Sequence, residues 1–85
     1  RRMSSFRATV EVRIKPSILD PQGRALERTL HGLGHGNVRA LRVGKLIEFV
    51  LEGSRAEAEA QVAEIVAGIL SNPVMEDASY SLREA

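Results

Sequence analysis

The chain contains no cysteine, which excludes disulfides and thiolate metal sites. That absence fits a cytoplasmic protein. Aromatic residues make up only 4% of the 85 residues: Phe6, Phe49 and Tyr80. A module that stacks nucleic-acid bases needs aromatics clustered on its central strands, with a basic and glycine-containing signature around them. Neither is present. Charge of one sign is lacking too, because 12 basic residues face 11 acidic ones and leave a net charge of +1. Nothing electrostatic draws the chain to nucleic acid or to an anionic membrane. No apolar run approaches the ~20 residues of a membrane span. Arg1-Arg2-Met3-Ser4-Ser5 has no apolar stretch behind it, so a signal peptide is not expected. Met3 is the expected natural start, and residues 1–5 are expected to stand outside the folded part of a single domain spanning 1–85. A chain of this size buries only about 60% of its unfolded surface, so oligomerisation is an obvious route to further burial.

What is present is organised around residues 19–44. Before them, Phe6-Arg7-Ala8-Thr9-Val10-Glu11-Val12-Arg13-Ile14 alternates strictly, which predicts a strand with one apolar and one wet face. Lys15-Pro16 ends it. Asp20 reads as a helix N-cap and Pro21 as the first helical residue. Leu26, Leu30 and Leu33 recur at i, i+4 and i+7 as one apolar stripe, with Arg24, Glu27, Arg28 and His31 largely on the other side. Gly34 is placed to close the helix in a left-handed conformation.

Residues 38–43 read as a second strand, Gly44-Lys45 as a hairpin turn and residues 46–52 as a third strand. Ile47, Phe49 and Leu51 share one face of that strand. Leu46, Glu48, Val50 and Glu52 share the other, and Val38, Ala40 and Arg42 form one face of the strand before it. These outer faces are only half polar, which suggests a covering from outside the chain. Ser54-Arg55-Ala56-Glu57 is a capping box. It opens a helix with Ala58, Val62, Ile65, Val66 and Ile69 inward, ending near Leu70 before Asn72-Pro73. Ala78 to Leu82 alternates as a short last strand. The expected class is α+β, a ferredoxin-like β-α-β-β-α-β order with an antiparallel sheet and two helices on one face. The other sheet face or the last strand would serve oligomerisation.

Chemistry is harder to assemble. His31 and His35 stand at i, i+4, but the glycines between and after them break the helix that metal ligation would need. Gly34-His35-Gly36 follows a helix and lacks the spacing of a phosphate-binding loop. Ser79 and Ser81 have no histidine placed to activate them. Lys15-Pro16-Ser17 does not supply the arginine of an acylphosphatase-like phosphate loop. No catalytic, cofactor-binding or metal-ligating residue is expected in the chain itself.

Four ordered blocks carry a resemblance. They are Leu19-Asp20-Pro21-Gln22-Gly23, Leu30-His31-Gly32-Leu33-Gly34, Val38 with Arg42-Val43-Gly44-Lys45-Leu46-Ile47-Glu48, and Leu70-Ser71-Asn72-Pro73-Val74-Met75-Glu76-Asp77. At these spacings the chain resembles the small-subunit family (PurS) of phosphoribosylformylglycinamidine synthase, from about Phe6 to Arg83. The resemblance implies a non-catalytic subunit in purine biosynthesis. It would join a glutaminase (PurQ) to a synthetase (PurL) and assist ammonia transfer between them. ATP and magnesium would belong to the large subunit. It also implies a homodimer or tetramer. Val38, Ala40, Leu46, Val50 and Tyr80 are then the candidate surface for another copy, and Arg39, Arg42 and Lys45 the candidate charged contact to the larger subunits. A ferredoxin-like module that senses a small ligand is the alternative.

Overall fold

The computed structural model describes residues 4–85; the expectation for residues 1–3 lies outside them. Strand β1 (Ser4–Ile14) begins two residues before the alternation does. Helix α1 (Pro21–Gly32), strand β2 (Gly44–Gly53) and helix α2 (Arg55–Ile65) follow, then a five-residue π-helical turn (Val66–Leu70) and strand β3 (Glu76–Glu84). The α+β class with an antiparallel sheet and two helices stands. The sheet has three strands in the order β2-β1-β3, so β1 is central and both its neighbours are edges. The last strand is longer than its alternating stretch and pairs with β1 of its own chain, Phe6 opposite Glu84 and Ile14 opposite Glu76.

Register fixes the faces, because directly paired residues point the same way. Phe6, Ala8, Val10 and Val12 of β1 lie opposite Leu51, Phe49, Ile47 and Lys45 of β2. The same β1 residues lie opposite Glu84, Leu82, Tyr80 and Ala78 of β3. This inner face packs on α2, where Ala8, Val10, Val12, Val62 and Val66 form the buried centre, flanked by Ile47, Phe49, Leu51, Leu70 and Leu82. The Arg55 guanidinium closes one end of the layer, 5.8 Å from the centroid of the Phe6 ring.

The capping box forms as its residue types dictate. Ser54 Oγ accepts from the Glu57 N–H at 3.1 Å, and Glu57 Oε1 accepts from the Ser54 N–H at 2.9 Å. The inward face of α2 differs from the expectation at its far end. Ala58, Val62 and Val66 are buried, but Leu70 packs on the core and Ile69 is 76% exposed. A strict four-residue spacing is too long for an α-helix to keep on one side. The π-helical turn widens the last coil, closed by the Ser71 N–H on the Val66 carbonyl at 3.2 Å, and so returns Leu70 to the sheet.

The expected strand at residues 38–43 and the hairpin turn at Gly44-Lys45 do not form. Gly44 and Lys45 open β2, paired with Arg13 and Val12. Residues 38–43 instead run back along α1, bent at Ala40 by a positive φ of 58°. Helix α1 does not lie on the sheet beside α2. With its return segment it forms an arm, in which Gly23 is the only buried residue of the helix. The molecule consequently measures 59 × 26 × 14 Å, with a radius of gyration of 17.0 Å. A compact chain of this length would have roughly 12 Å.

Candidate functional site

The arm is built from the side chains on one flank of α1. Asp20 caps the helix, its Oδ1 accepting from the Gly23 N–H at 2.9 Å. Its second oxygen, Oδ2, accepts from the Val43 N–H at 2.9 Å, so one carboxylate ties the start of the arm to its end. Seven residues on, Glu27 Oε1 accepts from the Leu41 N–H at 2.9 Å. Four residues further, His31 Nε2 donates to the Val38 carbonyl at 2.6 Å; the carbonyl can only accept, so that nitrogen carries the proton. Spacings of seven and four put all three on one side of a helix. They satisfy backbone groups that a strand would have paired with a sheet neighbour. That is why residues 38–43 lie outside the sheet.

The tip of the arm follows from Gly34. At φ 101° it serves as the left-handed residue after the helix. The Gly34 N–H donates to the His31 carbonyl at 3.1 Å and the His35 N–H to the Leu30 carbonyl at 2.9 Å, the paired bonds of a Schellman stop. Gly23 is needed for closeness: a Cβ there would stand 2.6 Å from Asp20 Oδ2 and 2.7 Å from the Leu41 carbonyl oxygen.

Asp20 is 5% exposed and carries its charge among donors. The Val43 N–H and then the Gly23 N–H hold its carboxyl below the ordinary value of 3.8, with the nearby Arg42 charge adding to them against the opposing effect of burial. Arg42 reaches the other way. Its Nη2 donates to the carbonyl of Ile14, the last residue of β1, and to the carbonyl of Lys15 at 2.9 Å.

The flank of α1 away from the return segment is apolar and unpartnered. Leu26 is 46% exposed and Leu33 71%, with Leu19 exposed ahead of them. The sequence placed this stripe correctly but assigned it to the chain's own sheet. Glu27, assigned to the solvent side, is half-buried because it holds Leu41.

The other residues singled out from the sequence fall at separate places. Leu46 and Val50 are exposed on the outer face of β2, opposite Glu11 and Arg7. Tyr80 is on the inner face of β3, opposite Val10 and 44% exposed, so it does not share a surface with them. Val38 and Ala40 belong to the arm's return segment. Arg39 is exposed there, Arg42 is bonded at the arm's base, and Lys45 faces Glu76 across β1 at 3.8 Å. The structure therefore distributes these three basic residues along the arm and its base. Among the described residues, no group of three or more His, Cys, Asp or Glu side chains is placed to hold a metal ion.

Asp20, Glu27 and His31, which shape the arm, were not recognised as a set from the sequence. Their spacing was visible there. What was missing was a reason to expect their acceptors and donors to be spent on a neighbouring backbone.

The arm and three-stranded sheet recur in known proteins. The chain is 35% identical over 79 residues to the phosphoribosylformylglycinamidine synthase subunit PurS of Bacillus subtilis, covering 93% of this chain and 94% of that one. A crystal form of B. subtilis PurS superimposes with a TM-score of 0.85, over 93% of this chain and 99% of the other. A chain in a structure of PurLQS from Thermotoga maritima gives 0.79 at 30% identity, covering 95% of this chain and 98% of that one. Residues 7–84 match the model of the PurS family, described as phosphoribosylformylglycinamidine (FGAM) synthase. With nearly its whole length matched in both sequence and fold, the chain belongs to the PurS family of FGAM synthase.

Proposed function

We propose that this chain is the non-catalytic small subunit of an FGAM synthase, and that it bridges a PurQ glutaminase and a PurL synthetase so that ammonia passes between them. The complete enzyme would convert formylglycinamide ribonucleotide, ATP and glutamine to formylglycinamidine ribonucleotide in the cytoplasm. ATP and magnesium would be used by the large subunit. No cofactor is assigned to this chain.

The observation that carries the reading is the exposed leucine stripe on an arm held clear of the sheet. An 85-residue chain with so small an inner core gains by burying that stripe elsewhere. A second copy is the occupant the features favour. A two-fold axis brings the same apolar flank to both sides of one contact, and a net charge of +1 barely opposes self-association. Leu26 and Leu33 join Val38, Ala40, Leu46, Val50 and Tyr80 as the surfaces assigned to contacts between copies, dimeric or tetrameric. Arg39, with Arg42 and Lys45 at the base of the arm, supplies the charged contact to the larger subunits.

The test is reconstitution with a synthetase and a glutaminase. Leu26→Glu with Leu33→Glu should shift the sedimenting species to a single chain and lower glutamine-dependent synthesis at least tenfold, with ammonia-dependent synthesis largely kept. Unchanged sedimentation would remove the stripe from the interface. Full glutamine-dependent synthesis without this chain would remove the bridging role.

A further inference from the structure

The arm is joined to the sheet by two crossings of the chain, residues 15–20 on the way out and Val43-Gly44 on the way back. Asp20 binds the two crossings to each other, since its acceptors serve Gly23 and Val43, both within the arm. That carboxylate fixes the arm's internal shape and says nothing about its direction. Among the described residues, the side-chain hydrogen bonds that cross from residues 19–43 to the sheet side of the joint are those of Arg42, to the Ile14 and Lys15 carbonyls.

Those carbonyls are suited to the purpose. Ile14 is the last residue of the central strand, anchored opposite Glu76, so its carbonyl moves with the sheet. Lys15 is tied to the same side twice, by its N–H on the Met75 carbonyl at 2.9 Å and its Nζ on Asp77 Oδ1 at 2.7 Å. The Lys15 carbonyl also accepts the Ile18 N–H at 2.9 Å, so with Arg42 both of its lone pairs are used. Arg42 is next in sequence to Val43, whose N–H is held by Asp20. A continuous path of bonds therefore runs from the helix start through Asp20, Val43 and Arg42 to the end of β1.

We infer that Arg42 is a positioning residue, a clasp that fixes the direction in which the arm leaves the sheet. Without it, the joint retains its two covalent crossings and can pivot about them. The clasp is geometric and stands by itself. Its consequence rests on the bridging role proposed above: arm direction sets the spacing between the surfaces this subunit presents to its partners. Both bonds leave one nitrogen, Nη2, whose two N–H groups each meet a carbonyl and are strengthened by the guanidinium charge. Lysine keeps the charge and the donors on a shorter side chain, so it retains part of the clasp.

The absence of cysteine makes the test clean. Spin labels at Asn37→Cys on the arm tip and Ser81→Cys on the sheet report the arm-to-sheet distance by pulsed dipolar spectroscopy. Doubly labelled chains are diluted in unlabelled ones so that each pair is within one chain. Arg42→Ala should broaden the distance distribution at least twofold, and Arg42→Lys should recover part of the narrow distribution. Arg39→Ala removes the same charge from the same segment and should leave the distribution unchanged. Helix content by circular dichroism separates a freed arm from an unfolded one. A distribution unchanged in Arg42→Ala, or one broadened equally by Arg39→Ala, overturns the clasp. In the reconstituted complex, the ratio of glutamine-dependent to ammonia-dependent synthesis should fall for Arg42→Ala. A broadened arm with that ratio unaltered supports the clasp and counts against bridging through the arm.

Discussion

The sheet with α2 and the arm are held together by different physics. In the first, β1 and α2 remove Ala8, Val10 and Val62 entirely from water, and the sheet ladders do the rest. Burial of that kind is non-directional and scales with area. In the arm almost nothing apolar is hidden. Its shape comes from Asp20, Glu27 and His31, each bonded to one backbone group of the return segment. Bonds of this sort contribute about 1 kcal/mol each, but they dictate geometry. The division leaves the arm's leucines unspent by its own chain. A region shaped by hydrogen bonds can offer its apolar flank elsewhere; one shaped by burial cannot.

The largest effect should come from breaking the apolar region at its centre. Val10→Asp places an unpaired charge beneath α2, where Val10 is 0% exposed, and should cost about 4 kcal/mol. Urea denaturation checks it, and a loss under about 1 kcal/mol would mean that the inner face is not the main source of stability. A smaller and localised loss is expected in the arm. The Gly23→Ala methyl must displace the Leu41 backbone or the Asp20 carboxylate, at about 2 kcal/mol. Hydrogen exchange should show faster exchange at Leu41 and Val43, with the amides of β1 unchanged. Equal acceleration in both regions would make them one cooperative unit.

The third effect appears only in acid. Asp20 has its carboxyl held below 3.8 in the folded chain, so its ionised form favours folding. That contribution is complete above the unfolded value and is lost as pH falls through the folded one. Exchange at Val43 should therefore accelerate below about pH 4 sooner than exchange in β1. Asp20→Asn should flatten this dependence and raise exchange at neutral pH, because an amide offers one acceptor oxygen where the carboxylate uses two. A pH profile for Val43 identical to that of β1 would erase the contrast between the regions.

These differences also explain what the sequence could reveal. The alternation of Phe6 to Ile14, the Asp20-Pro21 start, the Gly34 stop and the Ser54–Glu57 box depend on neighbours within a few residues, and all four are found as read. Leu46 and Val50 were placed on an outer face by period alone, correctly. The strand expected at residues 38–43 does not form because the bonding partners of its backbone sit 14 to 23 residues earlier, on Glu27 and Asp20. Leu70 replaced Ile69 because periodicity assumes 3.6 residues per turn throughout, and a π-helical turn breaks that assumption. The leucine stripe was legible as apolar. Period gives the face of a helix but not what lies against it.

The middle position of β1 has a consequence for how the chain is made. Ser4 pairs with Gly53 and Phe6 with Glu84, so β1 is synthesised before either of its partners and meets β2 earlier than β3. Pairings this distant in sequence are slow to close. Through that interval Phe6, Ala8, Val10 and Val12 form an apolar ribbon with an open edge, which the β3 of another copy would match as well as its own. Birth order thus gives neighbouring copies an opportunity to exchange strands that the finished sheet withdraws.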